Sequence, residues 1–408
     1  MQVSAKNAPN SLKKSYTMRV DSLANKYWLL LLIPVVLLIS WLTLTPAASS
    51  LVTRDVSPSN HLKRTKATPV PTPAAATPQP KPAAWPKPES IKGIYATGWM
   101  AGSSKWLEET VAFINQTAVN SLVIDVKDDT GTISYNSNVP LVQTLGAAER
   151  KIGNPQKLLE TLRQQQIFPI ARIVVFKDPF LAQRKPEWAV RDSAGGLWTD
   201  RKGLHWVDPN NQAYWDYIIE IAKEAIDLGF QEIQFDYVRF TSDGDIKRCV
   251  YPFSDGQLKQ DVIRDFLQYA RAQLKPYDIP ISADIFGLTT SVEDDQGIGQ
   301  QFEKIISSVD VVCPMVYPSH YGPGNFGLKN PNLNPYDTVF HAVNDARKRL
   351  EKAGNTTTLL RPWLQDFSLG APYGRNEIQK QIQAVEAAGA KEWIFWNPSC
   401  RYQLQKYQ

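Results

Sequence analysis

A parallel eight-stranded barrel wrapped by helices, (β/α)8, is the fold class predicted for the region from residue 89 to the C-terminus. Three observations carry it. Short apolar runs alternate with amphipathic stretches through the whole region, and alternating βα units build a parallel sheet. The alternation repeats eight times in roughly 300 residues, the count of a TIM barrel. No strand runs into a Gly-rich phosphate turn, which a dinucleotide-binding open sheet requires. A doubly wound open sheet stays the alternative. The single GxGxxG, Gly322 to Gly327, continues into LKNPNLNP and reads as a loop.

Three segments precede the barrel. Residues 1–27 are a basic tail. Residues 28–44, WLLLLIPVVLLISWLTL, carry no charge across 17 residues, the short end for a membrane-spanning helix. Lys13, Lys14, Arg19 and Lys26 precede this run, as the positive-inside rule requires. Two readings stand: an uncleaved signal anchor, which the length favours, and a signal peptide cleaved near Ala47 to Ser50. Either one puts the rest of the chain outside the cytoplasm, single-pass in the cell membrane or secreted. Residues 45–88 are a linker; from 69 to 88, eight of twenty residues are proline. Such a stretch is extended and builds no core.

The charge divides along the same boundary. Residues 1–88 hold 11 Lys/Arg against two acids, a net of +9, and residues 89–408 hold 34 against 38, a net of −4. A mildly acidic folded part argues against a nucleic-acid-binding face. Cys249 and Cys400 could pair in an oxidising compartment, while Cys313 lies in an apolar run. There is no CxxC, and four histidines, one of them in the linker, do not make a His-rich metal site. The sequence calls for no cofactor and does not reveal an oligomeric state.

The barrel elements follow in order. Strands are predicted at 93–100, 121–126, 168–176, 232–240, 281–286, 309–317, 358–367 and 392–397. Helices fill the gaps at 105–117, 155–166, 211–228, 257–275, 299–308, 336–353 and 375–388. In such a barrel, function gathers at the C-terminal ends of the strands. Trp99 ends the first; LVIDVKDD brings Asp125 and Lys127 to the second; ARIVVFKD brings Arg172 to the third. The fourth, EIQFDYVRF, carries Asp236 and Arg239, and ISADIFG carries Asp284 on the fifth. Tyr317 stands on the sixth, Trp363 and Gln365 on the seventh, Trp396 and Asn397 on the eighth.

Carboxylates interleaved with Arg, Lys, amides and large aromatics suit a sugar, whose rings have apolar faces and whose hydroxyls hydrogen-bond. Glycoside hydrolysis needs two carboxyl groups, one of them protonated. Side chains alternate along a strand, so Asp236 shares a face with Gln234, and Asp284 with Ser282. Phe235, Tyr237, Ala283 and Ile285 then face the helices. Asp236 would point into a polar cleft, held ionised by Arg172 and Lys127. The plainer reading is a structural ion pair of Asp236 with Arg239 or Arg172. Asp125 rivals the other two for a carboxylate role. His205 is a lone loop histidine, and no GxSxG elbow is present.

GIYATGWMAGS, LVIDVKDDTG, ARIVVFKD, EIQFDYVRF, ISADIFG, DVVCPMVYPSHY, LRPWLQDF and EWIFWNPS, in this order from about residue 92 to 401, resemble a family of bacterial proteins labelled putative glycoside hydrolase. The resemblance implies a glycosidase-type TIM barrel on a secreted or anchored chain. It also implies a distant likeness to retaining glycosidases with a carboxylate at the end of strand four, the place of Asp236. Several of those enzymes have Glu on strand five, where this chain has the shorter Asp284.

Three functions are weighed. The first is a glycosidase on an extracellular or cell-wall polysaccharide. Asp236 is its principal carboxylate and Asp284 or Asp125 its acid/base. Arg172, Lys127 and Gln365 orient the sugar, and Trp99, Trp363 and Trp396 stack on it. The second is a non-catalytic barrel that binds polysaccharide and organises envelope partners. The third is a lyase or esterase on the same barrel, for which nothing specific speaks.

Overall fold

The computed structural model describes Trp85 and residues 87–408. The predicted basic tail, the apolar segment 28–44 and most of the linker lie outside the described residues. Among the described residues, no helix is long and apolar enough to cross a membrane.

Eight parallel strands close into a barrel. They are β1 Lys92–Ala96, β2 Ser121–Lys127, β3 Phe168–Val174, β4 Glu232–Asp236, β5 Ile281–Phe286, β6 Val311–Met315, β7 Trp363–Gln365 and β8 Trp393–Trp396. Each pairs with the next in sequence, and β8 returns to β1 through Lys92↔Trp393 and Gly93↔Ile394. The weakest seam is β6 to β7, where Trp363↔Met315 is the registered pair. The predicted seventh strand is broken there. Leu359–Leu360 pairs with Val311 and Val312, then Pro362 interrupts, because it has no N–H for the ladder.

All seven predicted helices form, with ends shifted by a few residues. Their starts follow from capping chemistry. Asn154 accepts from Lys157 N with Pro155 in the first turn, and Asn211 accepts from Ala213 N and Tyr214 N at the head of Gln212–Leu228. Such side chains satisfy amide groups that have no partner inside the helix. Gly229, at φ +120°, ends that helix. Between barrel and helices lies a continuous apolar layer; Phe235 meets Phe266 of the helix Lys259–Leu274 at 5.5 Å between ring centres. A two-stranded antiparallel ribbon, Arg191–Asp192 with Cys249–Val250, was not foreseen.

The barrel interior is polar at its N-terminal end. Arg361, fully buried, donates to Glu232 Oε1 at 2.6 Å and to Glu392 Oε2 at 2.8 Å, and Ser282 Oγ donates to the same Glu232 oxygen at 2.6 Å. This lock ties β4, β5, β7 and the approach to β8 at the face opposite the site.

Several strands stop earlier than predicted, and the two largest breaks shape the site. β1 ends at Ala96 because Thr97 caps a short helix, Gly98–Ala101, accepting from Met100 N. β4 ends at Asp236 because Tyr237 takes φ +50°. A left-handed backbone at a bulky non-glycine residue is uncommon and marks strain worth a functional question.

Candidate active site

The breaks place side chains around one cavity of about 460 Å³ at the C-terminal ends of the strands, in the roughly 300–1,000 Å³ range of ligand clefts. Tyr95, Arg172, Asp236, Arg239, Asp284, Tyr317, Trp363 and Trp396 line it, together with Tyr237, Phe286 and the loop residues Gln296, Gly322 and Asn325.

Alternation on β3, β4 and β5 sets its floor. Val174 pairs with Asp236, and Gln234↔Ser282 and Phe235↔Ala283 continue by one step to set Asp236 opposite Asp284. Adjacent strands lie about 4.8 Å apart, so the two carboxyl groups are neighbours. Arg172 holds the first. Its Nε and Nη2 donate to Asp236 Oδ2 at 3.0 and 2.5 Å, and its Nη1 donates to Asp125 Oδ1 at 2.5 Å. Asp236 Oδ1 accepts from the Tyr237 N–H at 2.5 Å. The strained turn thus donates to the carboxylate it follows.

Asp284 is treated differently. Only 1 % of it is exposed. Oδ1 accepts from Trp363 Nε1 at 2.7 Å, and Oδ2 is buried without a hydrogen bond. Burial, and then the charge of Asp236 beside it, push its pKa well above the usual carboxylate range. A neutral carboxyl is the form such a place tolerates. One pinned carboxylate and one protonated carboxyl side by side is the pattern that divides base from acid.

Asp125 stands behind the cavity, 2 % exposed and outside its lining. It accepts from Tyr95 Oη at 2.5 Å as well as from Arg172. Burial raises its pKa to about 6, against the opposing pull of Arg172 and Tyr95. It holds Arg172 from behind and lies outside the cavity lining.

Five of the predicted sugar-contacting residues come together in the cavity: Arg172, Arg239, Tyr317, Trp363 and Trp396. Four do not. Lys127 is fully buried; its Nζ donates to Val174 O and pairs with Asp178 at 3.0 Å, because it points into the layer between β2 and the helices. It does not hold Asp236 and lies outside the cavity lining. Trp99 lies on the short helix after β1, 58 % exposed and outside the cavity. Gln365, sealed in the interior, accepts from Ser319 N and donates to Phe367 O, which fixes the loop after β6. Asn397 donates to Asp366 O and Arg401 O and braces the C-terminal turn.

Tyr95, Phe286 and Tyr237 line the cavity without having been singled out. Tyr95 was findable, since it alternates with Gly93 onto the inward face of β1. Tyr237 was expected to face the helices; the left-handed turn swings it round to the site. The aromatic wall is continuous, with Trp396 packed 5.3 Å from Tyr317 and 5.1 Å from Phe367. The GxGxxG segment forms a loop, with Gly324 and Gly327 at positive φ, and it contributes a wall instead of a phosphate cradle. Among the described residues, no group of three His, Cys, Asp or Glu is placed to hold a metal ion. The three cysteines are free, so Cys249 and Cys400 do not pair.

Flat aromatic walls above adjoining carboxyl groups, at the mouth of a parallel barrel, suit ring faces and hydroxyls together and define a carbohydrate-processing (β/α)8 barrel. Residues 93–402 match the family described as "Putative glycosyl hydrolase domain", and the chain belongs to that family of glycosidases. Among solved structures, a hypothetical protein from Ruminiclostridium thermocellum ATCC 27405 is 44 % identical over 47 % of this chain and 96 % of its own, with a TM-score of 0.44. The glycoside hydrolase domain of PgaB (BpsB) from Bordetella bronchiseptica is 12 % identical over 76 % of this chain and 95 % of its own, at a TM-score of 0.55, a likeness of fold. No curated protein matches the chain.

Proposed function

We propose that the barrel hydrolyses O-glycosidic bonds of an extracellular or cell-wall polysaccharide by a two-carboxylate mechanism. One observation carries the reading. Asp236 and Asp284 adjoin at the floor of one aromatic-walled cleft, the first held by Arg172 and a backbone N–H, the second raised in pKa by burial and by its neighbour. Asp236 is the nucleophile or base. Asp284 carries the proton that the departing sugar oxygen needs. Tyr317, Trp363 and Trp396 present faces and edges to the sugar ring. The basic tail, the apolar run 28–44 and the Pro-rich linker support a barrel tethered outside the cytoplasmic membrane, which fractionation and protease protection of the full chain would check.

The test is reducing-end release from a panel of polysaccharides by the purified full-length chain. Release from at least one member is expected. Binding of a glycan with no release from any would return the barrel to the non-catalytic reading, which the tight burial of Asp284 favours.

A further inference from the structure

Arg239 is a buried cation of the cavity wall that the two-carboxylate scheme does not use. It is 7 % exposed and lines the cavity. The two other deeply placed arginines of the barrel are each held by a pair of acids, Arg172 by Asp125 and Asp236, Arg361 by Glu232 and Glu392. Among the described residues, no carboxylate forms an ion pair with Arg239. Aromatic faces surround it instead. Its guanidinium carbon lies 4.8 Å from the ring centre of Trp206, 5.1 Å from that of Tyr237 and 4.7 Å from that of Phe286.

Cation–π contacts of this kind offset part of the desolvation cost, but a buried charge with no counter-ion is still expensive. The hydrogen bonds show where the counter-ion belongs. Nη1 donates to Phe240 O at 2.9 Å and to Ser242 Oγ at 3.0 Å. Nε and Nη2 have no protein partner, and neither belongs to the sealed, unsatisfied atoms of the interior. The Nε–Nη2 edge is therefore neither hydrogen-bonded nor sealed, on a residue that lines the cavity. Two parallel N–H groups on one edge of a planar fork match the two oxygens of a carboxylate. The aromatic faces fix the plane of that fork, so its direction is set before any ligand arrives.

We propose that Arg239 is the anion-recognising group of a sugar subsite beside Asp236, and that the polysaccharide cleaved carries a carboxylate there, as a hexuronic acid does. This rests on the glycosidase reading for the cleavage, but the recognition is a binding property and is tested separately. A neutral sugar leaves the fork uncompensated. A phosphate or sulfate ester can also take the fork with two oxygens, but it is tetrahedral and held farther from the sugar ring than a carboxylate at C6, so the 6-phosphates serve as the competing probes.

The experiment measures binding by calorimetry to the full-length chain. The probes are glucuronate, galacturonate and mannuronate, the corresponding neutral hexoses, and their 6-phosphates. At least one hexuronate is expected to bind ten-fold or more tightly than its neutral hexose and more tightly than its 6-phosphate. Arg239→Gln is expected to abolish that preference, weakening the hexuronate at least ten-fold more than its neutral hexose; Arg239→Lys retains charge and loses at least half of the preference on a logarithmic scale. The proposal is overturned if no hexuronate exceeds its neutral hexose, if a 6-phosphate binds best, or if Arg239→Gln weakens neutral and acidic sugars alike. The wild-type comparison stands whether or not the variants fold. Acid-selective binding by a chain that cleaves no polysaccharide would sink the glycosidase reading and leave the subsite standing; cleavage of neutral glycans without acid preference would do the reverse.

Discussion

Replacing Arg172 with methionine removes the cation shared by Asp125 and Asp236. The side chains of the three are 13 %, 3 % and 9 % exposed, so solvent does little to screen what remains. Two carboxylates would then face each other across β2 and β4 with no charge between them. Breaking a buried pair by deleting one partner costs about 3–5 kcal/mol, against about 0–1 kcal/mol for a surface pair. Arg172→Met should therefore lose about 3–5 kcal/mol of unfolding free energy at pH 7, measured by urea titration followed by far-ultraviolet circular dichroism. The deficit should shrink at pH 5, where protonation of Asp125 relieves the repulsion. Adding Asp125→Asn should recover part of it, with a coupling of about 1 kcal/mol or more. A loss below about 1 kcal/mol, the same at both pH values, would show that Arg172 does not hold these two acids together.

Three further outcomes follow from named contacts. The folded-state pKa of Asp125, about 6, lies above the unfolded value of about 3.9. The folded chain therefore keeps a proton that the unfolded chain releases, and this residue's stability contribution falls as pH rises from about 4 to about 6, by about 3 kcal/mol; Asp125→Asn should flatten that slope in pH-dependent urea unfolding. A Cβ at Gly287 would lie 2.3 Å from Tyr321 Oη and 2.4 Å from Met315 O. Gly287→Ala should thus cost about 1–3 kcal/mol by overpacking and weaken ligand binding to the adjoining wall, as melting curves with and without oligosaccharide would show. Arg361→Met strands Glu232 and Glu392 and should cost about 3–5 kcal/mol, yet leave the kcat/KM of the folded fraction unchanged, since the lock sits at the far end of the barrel.

The barrel was legible because its signals are local and repeated. Every predicted strand and helix has a counterpart, since apolar runs separated by amphipathic stretches leave a parallel sheet few alternatives. The inward set Gln234, Asp236, Ser282 and Asp284 follows from alternation alone. What failed to show in the sequence depends on single backbone angles or on tertiary neighbours. EIQFDYVRF reads as one strand through Phe240, and nothing in its composition announces that Tyr237 turns left-handed and brings Arg239 to the cavity. Trp99 reads as a strand end until Thr97 is seen to cap a helix in front of it. Lys127 was paired with the wrong acid; its neighbour in β2 and β3 registry is offset by a bulge between Asp125 and Lys127, which sends it to Asp178. Pro362 inside the seventh strand was the one visible warning that the run would break.

Sugar release from one polysaccharide by the full-length chain, compared with Asp236→Asn and Asp284→Asn under the same conditions, goes straight to the paired acids. Each single change should slow release by the folded protein about 10²–10⁴-fold; Asp284→Asn, which replaces a neutral carboxyl, should keep the wild-type melting temperature, whereas Asp236→Asn, which takes one acid from Arg172, should lower it. Release by Asp236→Asn at the wild-type rate would contradict the account, because the group fixed by Arg172 at the centre of the cleft would then have no part in the chemistry.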